Sequence, residues 1–265
     1  MKYQKTLFQV LLLLLIISIT SCSKSAKEEP SHLAGKLKLI RGVGETGESK
    51  SEFTYDTKGF LISVNHTYSD AITGSTYEFQ NNSDGKPVLL NIYAIKSGEA
   101  PKKYAKVNLT YQDKMLIEYK QVLEDGGFVS AQRYFYNNKN FLDSSTYTQN
   151  VDSSNPYVYE RYVYTVDLMG IVTGQTRTTY PTGPGPSIKI TTEKYEYDDK
   201  VNPLSNNTSA LYRPNNTIKT TVKHDKIPDE LIVVFAFDYN AAGLPVKEYV
   251  VENGVKKLVR IYEYY

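Results

Sequence analysis

The chain is short of cysteine, tryptophan, histidine and surplus charge, and each shortage narrows what it can be. A single cysteine, Cys22, stands in 265 residues, so no intramolecular disulfide can form, whatever the compartment. Tryptophan, a common wall of sugar clefts, is absent, and the three histidines His32, His66 and His224 are widely separated with no ligand spacing. Long apolar helical patterns are missing after residue 22. The one run present, Leu7 to Ile19, spans about 20 Å as a helix and falls short of the roughly 30 Å hydrocarbon core of a bilayer.

That run follows Lys2 and Lys5, so residues 1–21 read as a secretory signal. Its end, Ile19-Thr20-Ser21-Cys22, fits the lipobox of bacterial lipoproteins: an aliphatic residue, two small ones, then the thiol that takes the diacylglyceryl group. The expected anchor is therefore the membrane, through lipid on Cys22, and two or three acyl chains together hold stably where one would not. Cleavage removes Lys2 and Lys5 from 31 basic residues and no acid, leaving 29 basic against 29 acidic. A neutral mature chain has no electrostatic footprint for nucleic acid. Residues 22–35 are small, charged and aperiodic, as in a flexible tether.

Residues 36–265 read as one all-β domain. Tyrosine dominates with 24 copies beside 9 phenylalanines, and aromatics favour strands. A short pattern recurs: aromatic-x-aromatic, a polar turn holding Asp, Asn or Gly, then an aliphatic pair. Phe53-Thr-Tyr55-Asp56-Thr-Lys-Gly59-Phe-Leu61 and Tyr134-Phe-Tyr136-Asn137-Asn-Lys-Asn140-Phe-Leu142 are its clearest copies. The second aromatics fall at 55, 79, 111, 136, 164, 197, 239 and 264. Rings two apart share one strand face, and the turn residues tolerate the positive φ of tight hairpins. The expectation is an antiparallel meander of about 14 to 16 strands in one strongly twisted, curled sheet with its more apolar face inside. A closed barrel and a two-sheet sandwich are the alternatives. An outer-membrane barrel is disfavoured, because Glu, Lys and Asp are scattered through the strands where lipid-facing alternation would be needed.

The copies Tyr195-Glu-Tyr197-Asp198 and Phe237-Asp-Tyr239-Asn240-Ala-Ala-Gly243-Leu-Pro245 resemble YD-repeat (Rhs-like) sequences, and more closely a Bacteroidota family of cell-envelope lipoproteins built from degenerate repeats of this kind. The Ser-Cys-Ser-Lys start is similar to lipoproteins of the same group. The resemblance implies a curved repeat sheet in the cell envelope, on the outer membrane, and carries no functional residues. Lys27-Glu28-Glu29 has the composition associated there with export to the cell surface, but lies further from Cys22 than expected.

No motif carries chemistry. Gly42-Val-Gly44-Glu-Thr-Gly47 matches the dinucleotide fingerprint by letter, yet Glu48 to Tyr55 reads as a strand where the fingerprint needs a helix, so a hairpin loop is expected. Asp198-Asp199-Lys200 reads as a solvated turn. Cofactors, metals and catalytic residues are therefore not expected. The leading expectation is a non-enzymatic binding or scaffold module whose protein or glycan partner meets the aromatic face or the long loops, Asn150 to Pro156, Tyr180 to Ser187 and Asn202 to Asn216. One helical turn is expected near Ser209 to Tyr212. The alternative is a hydrolase acting on polysaccharide or lipid, which would need two carboxylates about 5 to 10 Å apart in a cleft.

Overall fold

The computed structural model describes residues 33–44, 47–68, 73–127, 129–153, 156–181, 188–204 and 214–265. Cys22, His32, the Lys27-Glu28-Glu29 stretch and the helical turn expected at 209–212 lie outside them. The described chain forms sixteen strands: β1 (Leu37–Gly44), β2 (Gly47–Tyr55), β3 (Leu61–Tyr68), β4 (Thr73–Asn81), β5 (Pro87–Lys96), β6 (Lys102–Gln112), β7 (Met115–Leu123), β8 (Val129–Tyr136), β9 (Leu142–Gln149), β10 (Tyr157–Val166), β11 (Val172–Thr179), β12 (Lys189–Val201), β13 (Asn215–His224), β14 (Leu231–Tyr239), β15 (Pro245–Glu252) and β16 (Val255–Tyr264). Each pairs antiparallel with its sequence neighbours. The last pairs with the first, Ile40 opposite Tyr262 and Gly42 opposite Arg260.

The sheet is thus a closed barrel. This corrects the expected open curled sheet in favour of one of its alternatives. The physical reason is that sixteen twisted strands bring β1 within pairing distance of β16, and closure then satisfies both rows of edge N–H and C=O groups. Sixteen strands at about 4.8 Å spacing and a typical tilt make a wall roughly 30 Å across.

The repeat explains the turns at one end, here called the motif end. In the turn after β2 the Asp56 carboxylate accepts from the backbone N–H of Lys58 at 2.9 Å and of Phe60 at 2.8 Å. Asn82, Asn137, Asp167 and Asn240 do the same after β4, β8, β10 and β14. The residue three further on takes positive φ: Gly59, Gly85, Asn140, Gly170 or Gly243. Gly170 also leaves room for the Phe141 ring, which a Cβ there would approach to 2.7 Å.

The tyrosine before the capping residue has its own task. Odd strands start two or more residues before their ladder with the next strand begins: in β7, Met115 and Leu116 precede the first β7–β8 pair, Glu118 with Arg133. The Tyr136 hydroxyl on β8 donates to the Leu116 carbonyl at 2.8 Å. Tyr55 reaches Leu37 at 2.9 Å and Tyr264 reaches Pro245 at 2.7 Å in the same manner. Tyr197 bonds Val172, and at Asn81 the amide substitutes, donating to Leu61 at 2.8 Å. At the ends of β2 and β8, aromatic and capping residue thus join the hairpin to the strand before it and to the turn after it.

Candidate functional site: the barrel lumen

Register separates the two faces of the wall. Between β6 and β7, Val107 faces Gln121 and Leu109 faces Tyr119, alternating with Lys106–Val122, Asn108–Lys120 and Thr110–Glu118. Between β2 and β3, Phe53–Val64 and Ser51–His66 alternate with Lys50–Thr67, Glu52–Asn65 and Thr54–Ser63. The aromatic set is the concave one. Tyr195, Thr220, Phe235, Glu248 and Tyr262 line a single cavity although they come from five successive strands, β12 to β16. The Tyr239 hydroxyl on β14 also bridges over β13 to the Asp198 carboxylate on β12. On a convex face such side chains would diverge.

The rings therefore line the lumen and the charges coat the outside. Ion pairs on that outer coat include Arg133–Glu118 at 2.8 Å and Lys219–Glu196 at 2.6 Å. Apolar outward residues occur in small groups, such as Phe135, Val158 and Val163, each a little under half exposed. They form no continuous belt among the described residues. A hollow of about 570 Å³ on this outer wall is lined by Phe135, Val158, Arg161 and Tyr180 together with Ser144 and Thr146.

Along its axis the lumen has two zones. The half next to the motif end is apolar and packed against the wall in three clusters: Leu90, Val107, Leu109 and Leu116; Leu142, Tyr164, Val172 and Tyr195; and Leu37, Phe53 and Tyr262. Burial pushes the Tyr55 and Tyr136 hydroxyls up to about 12, with Tyr265 adding for the first and Tyr164 for the second. The other half is polar. There the Ser51 hydroxyl meets His66 Nδ1 at 2.8 Å, and Thr191 meets His224 Nδ1 at 3.0 Å. Gln132 donates to Ser145 at 3.1 Å, whose hydroxyl shares a 2.8 Å bond with Tyr164.

Carboxylates in the lumen are each held. Glu160 takes the Tyr162 hydroxyl and lies 3.9 Å from Arg177. Glu193 accepts from Tyr195 at 2.6 Å. Glu248, 5 % exposed, receives Arg260 at 3.1 and 3.0 Å and the Tyr262 hydroxyl. Burial first, and the Glu248 carboxylate second, raise the Tyr262 hydroxyl well above the usual phenol range. This trio lines the cavity of about 260 Å³ together with Tyr195, Phe235 and Phe237. Ring faces next to a fixed carboxylate and guanidinium suit a neutral, hydroxyl-rich ligand with one apolar face.

The residues singled out from sequence fall as follows. Gly42 and Gly44 sit in β1 and Gly47 opens β2, so the letter match to the dinucleotide fingerprint is a hairpin. The histidines stay apart: His66 pairs with Ser51 and edges the Tyr68 ring, while His224 is on β13. No group of three or more metal-ligating side chains occurs among the described residues. Asp198-Asp199-Lys200 is not a turn. It lies within β12, which runs on to Val201 through register shifts. Asp198 is tied to Tyr239 and to Asn216 at 3.2 Å, whereas Asp199 is exposed as expected. Sequence reasoning passed over Glu248 and Arg260 entirely. The available signal was Arg260-x-Tyr262, a charge sharing the face of a repeat tyrosine.

No family model matches the chain, and no curated protein matches it either. Solved structures do. A porin-like protein from Bacteroides vulgatus ATCC 8482 superposes with a TM-score of 0.55 at 12 % identity, covering 87 % of this chain and 98 % of that one. A porin-like protein from Bacteroides uniformis ATCC 8492 gives 0.54 at 11 %, covering 89 % and 98 %. The likeness is one of fold. At this identity it shows the all-β antiparallel barrel and nothing of its ligands. Among the described residues no helix is long and apolar enough to cross a membrane, which says nothing of strands.

Proposed function

We propose that this chain is a lipid-anchored protein of the cell envelope whose barrel stands outside the bilayer and holds a small ligand in its lumen, without catalysing a reaction. The observation that carries this reading is the distribution of side chains across the wall. Lys106, Asn108 and Thr110 on β6, with Lys50, Glu52 and Thr54 on β2, are presented to the surroundings, while Val107, Leu109 and Phe53 are buried in the lumen. A barrel that crosses a bilayer needs the reverse, an outward apolar band about 25 Å tall. Putting Lys or Glu into hydrocarbon costs about 2 to 4 kcal/mol for a midplane Lys in a barrel, repeated around this wall. The lipid expected on Cys22 then supplies membrane attachment that the wall cannot.

A saccharide is the ligand class that fits the lumen best. Its ring-lined cavity is of monosaccharide to disaccharide size, and its charged pair, Glu248 with Arg260, is internally neutral. The hydroxyl and amide groups of the polar half extend that surface. Tyr162 and Tyr195 hydroxyls occupy Glu160 and Glu193, which favours binding over general acid–base work.

Partition between water and a cloud-point detergent tests the reading. The native lipidated chain is expected in the detergent phase, and a chain that starts at Ser23 in the aqueous phase as a folded β protein. A lipid-free chain that still enters detergent would show that the wall itself is the membrane-binding surface.

A further inference from the structure

The motif end carries one turn unlike its equivalents. In the five turns whose Asp or Asn cap accepts from two backbone N–H groups, the two residues after the cap are Thr57-Lys58, Ser83-Asp84, Asn138-Lys139, Leu168-Met169 and Ala241-Ala242. After β12, where Asn202 accepts from the Leu204 N–H, they are Pro203-Leu204, with Leu204 37 % exposed. Leu168 is 94 % exposed and Met169 75 %, the two highest values among the large exposed hydrophobic residues. Neither contributes to the local fold. The Asp167 carboxylate caps the N–H groups of Met169 at 2.8 Å and Ile171 at 2.9 Å, Gly170 supplies the positive φ, and in the equivalent turns both jobs are done with polar residues or alanine in these places. Two large apolar side chains held in water at a turn tip are unfavourable unless something covers them.

The path of the chain says what covers them. The described chain begins at Leu33, whose carbonyl accepts from Lys36 at 2.8 Å, and Gly35 donates to Tyr265 at 3.2 Å. Gly35 lies against Leu244 in the turn after β14, so the chain enters the barrel at the motif end. Only ten residues separate Cys22 from Leu33, a tether of about 40 Å at full stretch. Any bilayer holding Cys22 therefore lies within about 40 Å of this rim. The β10–β11 turn lies between the sixth and seventh strands from β1 around the sixteen-strand ring, on its far side. Tether and Leu168-Met169 thus touch a plane at opposite sides of the same end.

We infer that the motif end of the barrel rests on the lipid surface, with Leu168 and Met169 inserted into it, so that the barrel stands upright and its polar luminal half opens away from the membrane. The inference rests on the lipid anchor proposed for Cys22. The rim carries acids as well as lysines, with Asp84 and Asp199 in addition to Lys58 and Lys139. The contact is therefore apolar rather than electrostatic, and it persists at high salt.

The test uses the full lipidated chain, whose native cysteine is blocked by its acyl groups. Met169→Cys is labelled with an environment-sensitive dye and reconstituted into uncharged phosphatidylcholine vesicles. Glu99→Cys, in the β5–β6 turn at the opposite end, is the control. The label at 169 is expected to shift to the blue and to escape an aqueous quencher, in low and high salt alike, while the label at 99 stays fully quenched. Quenching at 169 equal to that at 99 on vesicles that carry the protein overturns the inference and leaves the anchor intact. Protein that fails to float with the vesicles overturns both. Protection at 169 seen in native envelopes but not in pure lipid overturns it in favour of a protein neighbour.

Discussion

Replacing Tyr136 by phenylalanine removes one oxygen and keeps the ring, which isolates the role of the repeat tyrosine. In the intact barrel that hydroxyl donates at 2.8 Å to the Leu116 carbonyl. Leu116 is 5 % exposed and lies beyond the β7–β8 ladder, which starts at Glu118 and Arg133. On the β8 side the carbonyl has no ladder N–H, and water reaches it poorly. A net hydrogen bond is worth about 0.5 to 1.5 kcal/mol, and leaving a buried partner unsatisfied raises the loss to about 1 to 3 kcal/mol. Taking about 2 kcal/mol, the Tm should fall by roughly 4 to 8 °C for a chain of this size. Urea unfolding followed by circular dichroism measures it, with Tyr104→Phe as the control. Tyr104 is 52 % exposed on the outer wall, and its substitution should change stability by no more than about 0.5 kcal/mol. Equal midpoints for Tyr136→Phe and wild type, or equal losses for both variants, would refute the idea that the hydroxyl joins successive hairpins.

Three further outcomes follow from the same geometry. Asn137→Ala removes the acceptor of the Lys139 and Phe141 N–H groups and should cost about 1 kcal/mol, read as a lower urea midpoint. Glu248→Ala leaves the Tyr262 hydroxyl and the half-exposed Arg260 without their shared acceptor and should cost about 1 to 3 kcal/mol, with Glu248→Gln milder; equal losses would show that charge plays no part. Alkali should unfold the barrel between pH 10 and about 12. Tyr55 and Tyr136 are pushed up to about 12 by burial, so only the unfolded chain releases those protons above pH 10. Stability is full below pH 10 and declines as pH rises toward the folded value, at up to about 1.4 kcal/mol per pH unit for each such tyrosine, less where water screens it. Tyrosinate absorbance and circular dichroism should therefore change together; rings that titrate at 10 with the fold intact would contradict the burial.

Much of the wall could be read from the residues. Phe53 and Tyr55 share a face because strands alternate, and the aromatic-x-aromatic spacing gave the inward set, the turns at Asp56 and Asn137 and a strand count that includes sixteen. Closure could not be read, because the pairing of Ile40 with Tyr262 joins residues at opposite ends of the chain and leaves no local mark. Asp198 was misread for a similar reason. In other copies the residue after the tyrosine caps a turn, but β12 continues past it to Val201, and only the folded barrel brings Tyr239 and Asn216 to its carboxylate. The cavity at Glu248 was hidden by a bulge in β16: Glu248 pairs with Arg260 and Tyr249 with Leu258, so the extra residue Val259 breaks strict alternation just before Arg260.

Which face of the wall meets water is the point on which the rest depends, and cysteine accessibility on the membrane-bound protein measures it directly. With the proposed lipid blocking Cys22, Lys106→Cys, Thr146→Cys and Thr221→Cys each place one thiol on the outer wall, at separate points around the barrel. All three should react with a membrane-impermeant maleimide at the same rate before and after detergent is added. Thiols that stay shielded until detergent dissolves the bilayer would mean that the wall faces lipid and the barrel crosses the membrane.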